Sequence, residues 1–193
     1  MIKVAPPDTS IRILGVYFSL GKPTGLNDEK AVNLVRDTTT TLSQKGVTAK
    51  QVLYVANRVS HPAVLFLGKG TGLSPRTLDR CDQMWRKLLR QKAHLPRGTP
   101  TELLHHSGFG GLQRLEDTAP LTQIRETVWL LNSDSPAGKV LRHRAAYVTS
   151  RAGYEDYALT APGAGLHYLM GNYARNHWDS TLRQLHDRAC RFK

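Results

Sequence analysis

Ser74-Pro75-Arg76-Thr77-Leu78-Asp79-Arg80-Cys81-Asp82-Gln83-Met84-Trp85-Arg86-Lys87-Leu88-Leu89-Arg90 is the stretch that decides the fold. It opens as helices open. A serine at the N-cap accepts from an orphan backbone N–H, and a proline in the first helical position gives up a donor that has no intrahelical partner. Leu78, Cys81, Trp85, Leu88 and Leu89 then recur at spacings of three and four, which makes one apolar face. Arg76, Arg80, Gln83, Lys87 and Arg90 fall in a narrow sector on the opposite side. All but one of those five are cations, so the helix is expected to bury one side and offer a basic stripe on the other.

Working towards the N-terminus, Thr48 and Gln51 have the spacing of a capping box, with Val47 and Val52 placed as a hydrophobic staple. A helix is predicted from Ala49 through Val52, Val55, Ala56 and Val59, with a kink or break at Pro62. The apolar segment 63–67 continues it, and Gly68-Lys69-Gly70-Thr71-Gly72 is a loop. That loop lacks the Gly-x-x-x-x-Gly-Lys-Ser/Thr spacing of a phosphate-binding loop. Further back, Ala31, Leu34, Val35, Thr38 and Leu42 mark another helical face, with Asn27 as its N-cap and Gly46 beyond its end. Ile11-Arg12-Ile13-Leu14-Gly15-Val16-Tyr17-Phe18 is β-branched and aromatic and is predicted as a strand.

On the C-terminal side, Thr99-Pro100-Thr101-Glu102 has capping-box spacing and opens a short helix through Leu103 and Leu104. Gly108-Phe109-Gly110-Gly111-Leu112 is a turn. A helix is predicted from about Thr118 to Leu131 with Leu121, Ile124, Val128 and Leu131 inward. Ser135-Pro136 opens another, carrying Val140, Leu141, Ala145 and Val148. Residues 151–165 form a linker and a candidate boundary. Trp178, Leu182, Leu185 and Ala189 suggest a last amphipathic helix.

Composition bounds the function. Lys and Arg total 27 against 15 Asp and Glu, a net charge of +12, a balance that favours a polyanionic partner. The 40% hydrophobic content is enough for a core. The longest uncharged apolar run, 63–68, is far short of a membrane span, and no apolar stretch of a signal peptide follows Lys3. The expected compartment is nucleus or cytoplasm, with no secretion and no membrane. Cys81 and Cys190 are expected as reduced thiols, since two cysteines make no disulfide framework.

The order of elements resembles a LINE-type (non-LTR) retrotransposon reverse transcriptase, from the primer-grip strand through the thumb and connection. Ile13-Leu14-Gly15-Val16 is similar to the family's Leu-Gly-Val strand. Segments 28–43, 49–67 and 75–91 match its three thumb helices, Pro62 included. Leu95-Pro96, Gly110-Gly111-Leu112 and the run from Leu115-Glu116-Asp117 to Leu130-Leu131-Asn132-Ser133 match the family's segments beyond the thumb. The similarity covers about residues 10–148.

The resemblance implies a mainly α fold. A short N-terminal β region (1–25, end of palm) would lead into a three-helix thumb-like bundle (26–95) and a helical connection region (96–150). Residues 151–193 would add a linker and C-terminal amphipathic helix. It implies sequence-independent binding of a template–primer duplex (RNA, DNA or hybrid) by phosphate contacts, with a polymerase palm as a possible partner in a longer chain. It gives no activity to these residues. The family's catalytic Asp-Asp pair lies upstream of the Leu-Gly-Val strand, and no Tyr-x-Asp-Asp occurs here.

The candidate nucleic-acid contacts are Arg76, Arg80, Lys87 and Arg90, extended by Arg142 and Arg144. A cation every helical turn, about 5–6 Å apart, suits the repeat of phosphates along a strand. Leu14 and Gly15 are the primer-grip-like pair, glycine allowing close backbone approach. No catalytic residue, metal or cofactor is expected. His105 and His106 diverge on a helix, no nucleophile elbow occurs, and Trp129 and Trp178 are expected in the core. The alternative function is a helical protein-interaction module whose basic face meets an acidic partner.

Overall fold

A computed structural model of the chain describes residues 10–19, 25–69 and 72–151. The apolar run 11–18 does not stay a single strand. Leu14 and Gly15 both take positive φ, 49° and 86°. The chain therefore reverses, and β1 (Ser10–Ile13) pairs antiparallel with β2 (Val16–Ser19), with Ile13 opposite Val16. A two-residue loop with both φ positive matches the right-handed twist of the flanking strands. Glycine takes that conformation freely, whereas Leu14 takes it at a steric cost.

The first helix, α1 (Leu26–Gln44), follows Gly25. Asn27 is not its N-cap. It lies inside the first turn, 6% exposed. Its Oδ1 accepts from Tyr17 N–H (2.9 Å) and its Nδ2 donates to Tyr17 C=O (2.8 Å). The amide thus replaces a neighbouring strand for β2, a partnership ten residues away that no local capping rule predicts. Ala31, Val32 and Val35 form the buried face.

The capping box of the next helix is present in full. Thr48 Oγ1 accepts from Gln51 N–H, and Gln51 Oε1 accepts from Thr48 N–H. Pro62 does not break this helix. The α-helical turns of α2 (Ala49–Val55) widen into a π-helical stretch at Ala56–Ser60 and tighten again in α3 (His61–Gly68). Proline lacks a donor and crowds the carbonyl one turn back. His61 N–H reaches Ala56 C=O, five residues back, so the wide turn takes up the mismatch while the backbone stays right-handed helical.

The decisive segment forms α4 (Pro75–Lys92), with Ser74 Oγ accepting from Thr77 N–H. Leu78, Cys81, Trp85, Leu88 and Leu89 are all buried, and Trp85 is fully enclosed. Helix α4 lies mainly against α1, and also against α2 and the short α5 (Thr101–His105). The core they share includes Val35, Val52, Ala56, Val64, Leu104, Leu112 and Leu115. The Cys81 thiol inside it is free, and burial pushes its pKa up to about 12.

Thr99 does not cap α5. Its hydroxyl turns back to Pro96 C=O (2.8 Å), and Pro100 precedes the helix without a side-chain cap. The next helix, α6 (Leu115–Leu131), begins three residues ahead of the Thr118 start expected from the sequence. The reason is Asp82. Both carboxylate oxygens lie within bonding distance of Leu115 N–H, at 3.2 and 3.0 Å, inside the core. A side chain from α4 thus caps a helix that begins 33 residues later.

The chain divides into two compact units, 1–119 and 120–193. The described part of the second comprises the rest of α6 and α7 (Pro136–Arg151). Ser135 caps α7 through Gly138 N–H (3.1 Å). A Cβ on Gly138 would lie 2.5 Å from Leu130 and Ser133 carbonyl oxygens, so only glycine fits. The expected inward face of α6 is only partly covered, Ile124 and Leu131 being half-buried. Leu121 and Val128 are exposed, whereas Leu115, Ala119 and Thr127 are covered. Val140, expected on the apolar face of α7, is 69% exposed. Leu141 and Ala145 are buried as expected.

The chain is therefore mainly helical with a short N-terminal two-stranded sheet. Arg151, expected to begin the linker, is instead the last residue of α7. The rest of that linker to 165, the helix expected at 178–189 and Cys190 lie outside the described residues.

Asp82→Ala leaves Leu115 N–H buried without an acceptor, at an expected cost of about 1–3 kcal/mol. Asp82→Asn keeps an acceptor oxygen and is expected to cost less. Urea unfolding measures both, and exchange of the Leu115 amide should accelerate in the alanine variant.

Candidate functional site

The outer side of α4 carries its cations in two different conditions. Arg76, Arg80 and Lys87 are exposed. None makes a hydrogen bond or ion pair among the described residues. Gln83, the one neutral member of the stripe, is held by Asp79 (Nε2 to Oδ2, 2.7 Å). Asp79 also takes Arg86 (3.1 Å), a cation outside the stripe. The only acid on the outer half of the helix is thus engaged without drawing on Arg76, Arg80 or Lys87.

Arg90 is not free. Its Nη2 donates to Thr99 C=O (3.0 Å) and Thr101 Oγ1 (3.2 Å), tying the end of α4 to the start of α5. Period alone places Arg90 with the stripe. A loop returning nine residues later withdraws it, and that is invisible to a helical wheel. Lys92, at the end of the helix, is committed likewise. Its Nζ donates to Ser43 C=O (3.0 Å) and Lys45 C=O (2.6 Å), where the carbonyls at the end of α1 lack intrahelical partners.

Arg142 also serves the backbone. Its Nη1 donates to Leu131 C=O (2.9 Å) and Ser133 C=O (2.7 Å), closing the turn between α6 and α7. The side chain of Arg144 lies outside the described residues. Leu14 and Gly15 form the hairpin tip, with Leu14 87% exposed. Lys30 from α1 donates to Gly15 C=O and lies over the Tyr17 ring, 5.8 Å from its centroid. The pair is held in place from below while Leu14 projects. Trp129, expected in the core, is 67% exposed.

A second cluster of polar side chains is internal. Ser60, His61 and Asp82 are 1–2% exposed. His61 Nε2 stands 4.0 Å from Asp82 Oδ1, and its ring meets the Trp85 ring edge-on, centroids 6.4 Å apart. Ser60 Oγ, both His61 nitrogens and Trp85 Nε1 find no hydrogen-bond partner. A serine, a histidine and an aspartate together suggest nucleophilic catalysis, yet Ser60 Oγ is not bonded to the imidazole and all three are covered. That is not the geometry of an activated nucleophile.

His105 binds Leu112 C=O through Nδ1 (2.6 Å), whereas His106 is exposed. Among the described residues no group of three or more His, Cys, Asp or Glu is placed to hold a metal, and no helix is long and apolar enough to cross a membrane. Motif and charge patterns single out neither Asp82 nor His61. A signal exists for Asp82, because a lone acid three residues before Trp85 and four after Leu78 falls on the apolar face.

No protein-family model, curated protein or solved structure matches the chain.

Burial moves the two buried groups in opposite directions. Desolvation, helped by His105, lowers His61 to about 4 from 6.5. Desolvation raises Asp82 to about 6 from 3.8, against the pull of the Leu115 N–H and Arg86. Below about pH 6.5 the unfolded chain protonates its histidine while the folded one does not. Stability is therefore lost as pH falls towards about 4. Asp82 acts in the other sense. The folded state takes up its proton first, so stability is gained as pH falls from about 6 to about 4.

The two slopes offset one another over that shared window. Asp82→Asn removes one of them. Relative to the parent, the variant should lose on the order of 2–3 kcal/mol more between about pH 6.5 and about pH 4. Urea unfolding across that range checks it, and equal slopes for the two proteins would contradict the assignment.

The divided stripe gives a second expectation. Arg76, Arg80 and Lys87 changed together to Gln should leave Tm nearly unchanged, exposed charges being worth under about 1 kcal/mol. Arg90→Gln alone should cost about 1–3 kcal/mol, because it removes charge-assisted bonds between two elements. Thermal melts of the two variants distinguish them.

Proposed function

We propose that the chain binds nucleic-acid duplexes without regard to base sequence, using Arg76, Arg80 and Lys87 to hold phosphates. The observation that carries this reading is that those three exposed cations make no ion pair among the described residues, on a helix whose opposite side is pinned by buried Trp85. Cations without an ion pair have none to break before taking a phosphate, and the packed helix fixes the backbone that carries them. From Arg76 to Arg80 the rise is about 6 Å, and from Arg80 to Lys87 about 10 Å, a scale suited to successive phosphates along one strand. Such contacts fix position and carry no sequence information.

The resemblance to LINE-type reverse transcriptases gives this reading its biological form: a thumb and connection region, with a polymerase palm in a longer chain and a template–primer duplex as ligand. The succession of the Leu14–Gly15 segment, three long helical segments and a further helical region supports it. Nucleus or cytoplasm is the corresponding compartment. Within this reading Arg90 and Arg142 are structural, so the phosphate surface is smaller than the basic composition suggests.

A second reading, a protein-interaction module for an acidic partner, is favoured by the exposed apolar residues Leu121, Val128 and Trp129. Exposed apolar side chains have nothing to gain from a phosphate backbone and are covered by an apolar partner surface.

Duplexes of unrelated sequence should bind with similar affinity, weakening steeply between about 50 and 200 mM salt. Changing Arg76, Arg80 and Lys87 to Gln should lower affinity uniformly. The slope of log K against log salt should shrink by about 2–3, near 0.9 for each phosphate no longer neutralised. Fluorescence anisotropy with two unrelated duplexes tests both. Binding indifferent to salt, or a triple variant that binds as the parent does, would overturn the proposal.

A further inference from the structure

The helical segment from Ala49 to Gly68 carries a surface that the α4 stripe does not use. Lys50, Tyr54 and Arg58 follow one another at intervals of four residues, and all three are exposed. Tyr54 is 66% exposed. Residues four apart on a helix are neighbours on one face, about 6 Å apart along the axis. The wide turn at Ala56–Ser60 begins between Tyr54 and Arg58. With more residues per turn it reduces the sideways drift that residues four apart otherwise accumulate, so Arg58 stays in line with the tyrosine.

The other side of the same segment is fixed. Val52, Ala56, Ser60, His61 and Val64 are buried. Asn57, next to Arg58, is clamped to the backbone of the loop after α5, donating to Gly111 C=O (2.8 Å) and accepting from Gln113 N–H (3.0 Å). The outward direction of the three side chains is therefore set by packing. None of them makes a hydrogen bond or ion pair among the described residues. Along this stretch of chain the formal charge has one sign. Lys45, Lys50, Arg58, Lys69 and Arg76 all lie between Asp37 and Asp79, and no acid occurs among them.

An aromatic ring held open to water, with a cation one turn to either side and no carboxylate along the segment, suits one occupant: a strand with unpaired bases. The ring offers a face on which any base can stack, and the cations take the flanking phosphates. A paired duplex has no free base face to offer Tyr54. We propose that Tyr54, flanked by Lys50 and Arg58, is a stacking platform for single-stranded nucleic acid. The chain's ligand would then combine a duplex with an unpaired stretch. This rests on the nucleic-acid reading of α4 and names its substrate class more closely.

The test uses the whole chain and three probes: a single-stranded oligo-dT, a blunt duplex, and that duplex with a dT overhang. Tyr54→Leu keeps an apolar side chain on an exposed helix position and removes the stacking face. It should weaken oligo-dT binding by about 5- to 100-fold while leaving the blunt duplex unchanged. The overhang duplex should lose affinity in the same variant. Tyr54→Phe should bind oligo-dT as the parent does. Lys50→Gln with Arg58→Gln should reduce the salt slope for oligo-dT by about 1, near 0.7 for each phosphate released. Melting curves confirm that each variant is folded.

If Tyr54→Leu binds oligo-dT as tightly as the parent, or loses duplex and single strand equally, the platform is wrong. If the blunt duplex still responds to the α4 variants in that case, the duplex-binding function survives without it. A chain that binds none of the three probes overturns both.

Discussion

The carboxylate of Asp82 sits among apolar side chains and meets the backbone N–H of Leu115 with both oxygens. A buried carboxylate is costly unless its lone pairs are used, and a helix start inside a core is costly unless its donors are used. Each meets the need of the other. Asp82 lies on the same side of α4 as Leu78, Trp85 and Leu89, so the bond and these apolar contacts together hold that side inward. The outward direction of Arg76, Arg80 and Lys87 follows from it. His61, 4.0 Å away and edge-on to Trp85, is buried beside it.

Several of the described cations are committed to the fold itself. Lys30, Arg90, Lys92 and Arg142 all donate to backbone carbonyls at turns or helix ends. Their work is to satisfy acceptors that the ends of α-helices and tight turns leave over. On the proposed reading, two groups among the described residues stay open to a polyanion on packed helix faces: Arg76, Arg80 and Lys87 on α4, and Lys50 and Arg58 beside Tyr54. Net charge describes attraction at long range, whereas these two groups describe where a strand could lie.

Local rules are legible in the sequence where the partner of a group lies within one helical turn. The Ser74–Pro75 opening, the Thr48–Gln51 box and the buried side of α4 stand as the spacing predicts. What cannot be read depends on residues brought near by folding. Asn27 serves β2, Arg90 serves the loop at Thr99, and the start of α6 is set from α4. The split of 11–18 into a hairpin is hidden because leucine is a poor residue for positive φ and gives no turn signal. For the site, the stripe is visible as a period, but which of its members are free is not. Tyr54 gives no signal of its own, because a tyrosine at helical spacing is more often interior.

The wide turn at Ala56–Ser60 holds one residue more than regular α-helical bonding would take up. Before it, Val52 faces the core; after it, Val64 and Leu67 do. A single deletion inside this stretch would leave a helix of better regularity. Because the wide turn absorbs that extra residue, the register beyond it would be kept, with Val64 and Leu67 still on the side of Val52. The same deletion outside Ala56–Ser60 has no spare residue to draw on and would turn the next stretch of helix by roughly 100°. Chain length is therefore most tolerant where the helix is widest.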